Sequence, residues 1–124
     1  MHPRIRVNRF VQPAELGALY RSARIFALPS HSEAWGLVVH EAVLSGCQLL
    51  LSATIGSRHD FATQKNAAEF PAGDCVALAQ AVLQLATSED DALARAQAES
   101  RALAATHGPA VFADRVAAIV RQLS

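Results

Sequence analysis

Apolar and polar positions change period several times along this chain, and the changes predict an alternation of short strands and helices. Ile5, Val7 and Val11 alternate with Arg4, Arg6 and Asn8, the two-residue period of a strand, so residues 4–11 are expected to be extended. Pro13 then breaks the run, and a helix through about Arg21 follows, with Leu16, Leu19 and Tyr20 as its inward stripe. Arg24 to Leu28, ending at Pro29, is too short for a helix and reads as a buried strand. A second helix is expected from about Trp35 to Ser45, with Gly46 at the left-handed position that closes a helix. Gln48 to Ser52 contains Leu49-Leu50-Leu51 and reads as another buried strand. Thr54 to Ser57 has turn chemistry, residues 58–66 suit a short helical turn, and Ala67 to Pro71 suit a last strand before a Gly73-Asp74 turn.

From Asp74 onward the period is helical. Asp74 is a good N-cap for a helix carrying Leu78, Ala79, Val82 and Leu85 on one face. Ser88 with Asp91 suggests the cap of a second helix, through about Ala105, which Gly108-Pro109 ends. The last helix carries Phe112, Val116, Ile119, Val120 and Leu123 at helical spacing. Alanine concentrates in these helices, where it costs least. Strands alternating with helices predict an α/β fold, with a parallel sheet of about three or four strands, flanking helices and a helical C-terminus. The chain divides into βα units over residues 1–73 and C-terminal helices over 74–124. In such sheets ligands bind beyond the carboxyl ends of the strands.

With 124 residues, of which 52% are hydrophobic and 18% charged, the chain is a single globular unit rather than a disordered one. Eleven basic residues balance eleven acidic ones, which argues against a nucleic-acid partner. The balance is uneven: Arg4, Arg6, Arg9, Arg21 and Arg24 face only Glu15 in the first 24 residues, an excess that suits either a diphosphate or plain solvated surface. Cys47 and Cys75 edge apolar segments as small hydrophobes and do not form a disulfide framework, which implies a reducing, cytoplasmic setting. The N-terminus lacks a hydrophobic signal core, and no apolar run has the length of a transmembrane segment. Any membrane association is expected to be peripheral, at the inner face.

The chemistry concentrates between Pro29 and Ala42. Glu33 and Glu41, with seven residues between them, lie on either side of a strand-to-helix turn with Gly36 at its centre. A helix starting near Trp35 leaves the N–H groups of Trp35, Gly36 and Leu37 without partners, a site for an anion such as a diphosphate. Gly36 lets a ligand approach the backbone, and Glu33 is placed to accept from sugar hydroxyls. Glu41 stands among Leu, Val and Ala, where a carboxylate needs a partner, and a ribose diol is one. The plainer alternative makes Glu33 an acid favoured by the helix dipole and Glu41 an exposed residue beside His40. His31, Glu33, His40 and Glu41 lack the spacing that sets two ligands on one helix face, so no metal or other cofactor is expected. The serines lack a hydrolase elbow, and there is no glycine-rich phosphate loop.

The string Pro29-Ser30, Glu33, Trp35-Gly36-Leu37, Glu41-Ala42 and Gly46-Cys47 resembles the signature of family 4 retaining glycosyltransferases of the GT-B fold. Those enzymes share Glu, seven residues, Glu, with an aromatic-Gly pair after the first and Ala-x-x-x-Gly after the second. Glu15-Leu16-x-x-Leu19-Tyr20-x-x-Ala23 resembles the helix before it, and Pro71-x-Gly73-Asp74 the turn into the C-terminal helices. The resemblance implies that Glu33 is the catalytic-site carboxylate contacting the donor sugar. It likewise implies that Glu41 holds the ribose, that the backbone of Ala34, Trp35, Gly36 and Leu37 holds the distal phosphate, and that Phe10 and Val11 lie near the base. The donor would be a UDP-, GDP- or ADP-sugar, and the reaction a transfer with retention, generally without a metal.

A GT-B enzyme needs two Rossmann-like domains, about 350 residues, and this chain matches the later part of the second. The strands that carry the family's Arg and Lys for the diphosphate have no counterpart, nor has the acceptor domain. Gln48 stands where Pro is frequent, and Ser57 where a second Gly is common. The resemblance therefore implies the donor-binding portion of a glycosyltransferase, catalytically incomplete alone. It should associate with an acceptor domain or a complementary chain, or else be poorly soluble, because its first strand lacks neighbours. A non-catalytic α/β module binding a nucleotide or a protein partner is the other reading open at this point.

Overall fold

A computed structural model describes residues 2–123. The elements run α1 (Pro13–Ser22), β1 (Ile25–Leu28), α2 (Leu37–Leu44), β2 (Gln48–Ser52), α3 (Arg58–Phe61), β3 (Ala67–Phe70), α4 (Cys75–Ala86), α5 (Asp90–His107) and α6 (Pro109–Leu123). The three strands form one parallel sheet in the order β1-β2-β3, with Phe26 opposite Leu49 and Leu49 opposite Ala67. All five residues of β2 are buried, which explains its unbroken apolar run: a central parallel strand is covered on both faces. Leu49 and Leu51 join Val39, Val43, Cys47, Ile55 and Phe61 in one core. Leu50, pointing the other way, packs with Phe70 and Ala81 of α4 in a second. The sheet is therefore the middle layer, between α2 with α5 and α4.

Local signals set the ends of several elements. Gly46 closes α2 at φ 82°. The Asp74 carboxylate caps α4, its Oδ1 accepting from the N–H groups of Val76 (3.0 Å) and Ala77 (2.8 Å). Asp74→Ala should therefore cost about 1 kcal/mol, read as a fall of about 4 °C in Tm by circular dichroism. An unchanged Tm would show that the cap contributes nothing. Gln48, in the place where Pro is frequent, uses its N–H to bond the Arg24 carbonyl at 2.9 Å, a bond that proline cannot make.

Five expectations need correction. Residues 4–11 form no strand: Ile5, Val7 and Phe10 are exposed. Among the described residues no strand lies beside this segment or beside the outer edge of β1, so alternation alone cannot make a ladder. Leu19 does not belong to an inward stripe; it is exposed, while Leu16 and Tyr20 are half-buried. On α4 the buried residue is Ala81, with Ala77, Leu78 and Leu85 beside it, and Val82 faces solvent. Ser88 does not cap α5: its hydroxyl donates back to the Leu85 carbonyl at 2.8 Å, and the N-cap is Glu89, without a side-chain bond. Finally, Cys47 is buried but Cys75 is exposed.

The helical tail is tied to the sheet by a buried polar clamp. The Asn66 amide donates to the Phe61 carbonyl (3.0 Å) and to Ser100 Oγ (3.2 Å). Ser100 Oγ in turn donates to the Cys47 carbonyl at 3.1 Å. Among the described residues, no helix is long and apolar enough to cross a membrane.

Candidate functional site

The loop from Pro29 to Gly36 leaves the carboxyl end of β1 and is strapped to the loop after β2. The Ser30 carbonyl accepts from Ser52 Oγ (2.6 Å) and Thr54 Oγ1 (2.8 Å). Glu33 forms a parallel bridge with Ile55, its carbonyl accepting from the Gly56 N–H at 3.0 Å. The Trp35 carbonyl accepts from the Ser57 N–H at 2.9 Å, and the Gly36 carbonyl from Ser57 Oγ at 3.3 Å. The serine that replaces a commonly found glycine thus acts as a strut. Gly56 allows the two loops to meet: a Cβ there would lie 2.0 Å from the Ala34 carbonyl oxygen.

This strapping consumes carbonyls and leaves N–H groups over. Among the described residues, the amides of Trp35, Gly36, Leu37 and Val38 have no hydrogen-bond acceptor. The helix begins at Leu37, two residues later than expected, because Gly36 sits in the left-handed region (φ 84°, ψ 67°) as its N-cap. The correction extends the run of unpaired donors to Val38. Unpaired amides at a helix start, on the carboxyl side of a parallel sheet, make a candidate anion site.

Each anticipated residue can now be placed. Glu33 is half-buried, and its carboxylate makes no hydrogen bond or ion pair among the described residues. Ala34, Trp35 and Leu37 are exposed, with the Trp35 ring edge-on to Phe61 at 6.4 Å. Gly36, however, is buried against Glu33, Ile55 and Ser57, so its missing side chain makes room for these neighbours and not, as expected, for a ligand. Glu41, on the second turn of α2, is half-buried and accepts from the Tyr20 hydroxyl at 3.2 Å on Oε2. Oε1 has no protein partner among the described residues. Glu41 borders a hollow of about 260 Å³ with Pro13, Leu16, Gly17, Tyr20 and Ser45. Phe10 and Val11 do not line that hollow. His40 stacks on Phe61 at 4.8 Å, a packing role. The arginine excess is spread out: Arg4, Arg6, Arg9, Arg21 and Arg24 are all exposed, and Arg24 reaches Asp90 only at 3.9 Å.

The Tyr20–Glu41 pair was not legible as a pair, since Tyr20 carried only the signal of an inward helix position. Burial first, and then the bond to Glu41, push the Tyr20 pKa up to about 12, so its hydroxyl is a donor throughout the neutral range. Burial also pushes the Cys47 thiol up, and its Sγ lies 3.2 Å from the Tyr20 carbonyl.

The comparisons with known proteins bear on the family and the fold. Residues 1–88 match the family described as "Glycosyl transferases group 1". A D-inositol 3-phosphate glycosyltransferase of Corynebacterium aurimucosum is 44% identical over 54 residues, covering 41% of this chain and 13% of that protein. The structure is similar to sucrose-phosphate synthase from Thermosynechococcus elongatus, with a TM-score of 0.74 and 28% identity over 87% of this chain and 27% of that one. The chain therefore spans between about an eighth and a quarter of the length of these relatives.

Proposed function

The chain belongs to the glycosyl transferases group 1 family, and from that premise we propose that it is the donor-binding portion of a retaining glycosyltransferase of the GT-B fold. The observation that carries this reading is the row of four amides, Trp35 to Val38, that lack an acceptor among the described residues, with one carboxylate before it and another a turn beyond. The diphosphate of a UDP-, GDP- or ADP-sugar takes the amides, where partial positive charge gathers at the start of α2. Glu33, whose carboxylate has no partner among the described residues, accepts from the hydroxyls of the donor sugar close to the bond that breaks. Glu41 offers Oε1 to the ribose. The loops that hold these groups are fixed from outside by Gly56 and Ser57, so the site is formed before a ligand arrives.

Transfer needs an acceptor held against the same face of the sheet. We assign that task to an acceptor domain, in the rest of a longer polypeptide or in a complementary chain. Among the described residues β1 has one edge without a neighbouring strand and residues 4–11 belong to no strand, both consistent with such a neighbour. Turnover by this chain alone is not expected.

Titration with UDP-, GDP- and ADP-sugars, followed by amide shifts in NMR, tests the reading. One member of the panel should move the Trp35–Val38 amides first. Glu41→Ala should weaken that binding by about 10- to 100-fold, the value of hydrogen bonds to a charged acceptor. An unchanged affinity would remove Glu41 from the ribose. Absence of any response across the panel would favour a module that binds some other partner.

A further inference from the structure

We propose that Tyr20 is a positioning residue for nucleotide recognition: its hydroxyl holds one oxygen of Glu41 so that the other is presented to the ribose. This deepens the reading above and rests on it. Tyr20 sits on α1 and Glu41 on α2, and the two line the same hollow. Their 3.2 Å bond is the hydrogen bond that joins these side chains across the two helices, and it occupies Oε2 alone. A glutamate on a helix has three rotatable side-chain torsions, and an unheld carboxylate loses that freedom when a ligand binds. A carboxylate already held by a fixed donor loses less.

Tyr20 is itself fixed from three directions. Its ring packs edge-on to Phe26 of β1 at 5.7 Å. Its carbonyl receives the Ala23 N–H at 3.1 Å and the Cys47 thiol at 3.2 Å. The phenol therefore has a set place relative to the sheet, and passes it to Glu41. A phenylalanine at this position would fill the same space and keep the ring contact, but could not hold the carboxylate. A leucine would serve packing alone, so the hydroxyl is the informative atom.

The test measures ribose discrimination. UDP, GDP and ADP, and the matching dUDP, dGDP and dADP, are titrated into the full chain and into Tyr20→Phe and followed by NMR, with circular dichroism to establish folding. Wild type should bind its preferred ribonucleotide about 10-fold more tightly than the deoxy form. Tyr20→Phe should reduce that ratio to about 3-fold or less by weakening the ribonucleotide, with the deoxynucleotide little changed. On a Glu41→Gln background, Tyr20→Phe should bring no further loss of the ratio.

The outcomes separate the two claims. If wild type binds a nucleotide but does not prefer ribose, the assignment of Glu41 falls and this inference falls with it. If wild type prefers ribose and Tyr20→Phe keeps the full preference, only the positioning role is overturned. Equal weakening of both nucleotides would mean that Tyr20 supports the fold rather than the carboxylate, and would also overturn it.

Discussion

Gly56→Ala is expected to be the most damaging single-methyl change in the chain, lowering stability by about 3 kcal/mol and weakening any anion at the Trp35–Val38 amides by at least about 10-fold. The added Cβ would lie 2.0 Å from the Ala34 carbonyl oxygen and 2.9 Å from its carbon. Both are backbone atoms, so no side chain can swing aside, and the loops must separate. Separation breaks the Gly56–Glu33 and Ser57–Trp35 backbone bonds, of 3.0 and 2.9 Å. Those bonds take up the loop's carbonyls and hold the Trp35–Val38 amides in place, so the candidate anion site should be lost together with the stability. Gly56 itself does not sit at positive φ, so the effect is one of close approach rather than backbone strain. Urea denaturation combined with nucleotide titration measures both losses. A Gly56→Ala protein with wild-type stability and affinity would show that the two loops are free to part, and that the amides are not held in place by the strap.

How much of this could be seen in the sequence depended on whether the deciding interaction was local. The Gly46 helix end, the Asp74 cap and the Gly108-Pro109 break come from contacts within a few residues, and each lies where it was expected. So does the Leu49-Leu50-Leu51 strand, whose unbroken apolar run marks burial on both faces. Residues 4–11 carry as clear an alternation, yet a strand exists only beside another strand, and sequence period says nothing about neighbours. The start of α2 moved because Gly36 adopts φ 84° and the carbonyls of Glu33 and Trp35 are taken by the N–H groups of Gly56 and Ser57, more than twenty residues away. The glutamates were legible as a motif. Their surroundings were not: Tyr20 meets Glu41 only because α1 packs beside α2. Thr54 to Ser57 looked like turn chemistry and nothing more, although these residues hold the candidate site in shape.

The second large effect is expected away from the site, at Asn66. This side chain is 1% exposed and occupied on both of its ends. Its Oδ1 accepts from the Thr63 N–H at 2.8 Å and from Thr63 Oγ1 at 3.1 Å. Its amide donates to the Phe61 carbonyl and to Ser100. Asn66→Ala strips all four bonds at once and leaves buried partners behind, whose desolvation is then uncompensated. The expected cost is about 3 kcal/mol, a shift of about 1.5 M in the urea midpoint for a domain of this size. The loss should also have a direction. Ser100, fully buried on α5, reaches the sheet layer through Asn66 and the Cys47 carbonyl, and α6 packs on α5 rather than on the strands. Hydrogen exchange should therefore quicken in α5 and α6 before it does in β2, whose bonds to both neighbouring strands remain. A uniform rise throughout the chain would mean that the clamp is one contact among many. Protection lost from α5 first would identify Asn66 as the point where the helical tail is fastened to the sheet.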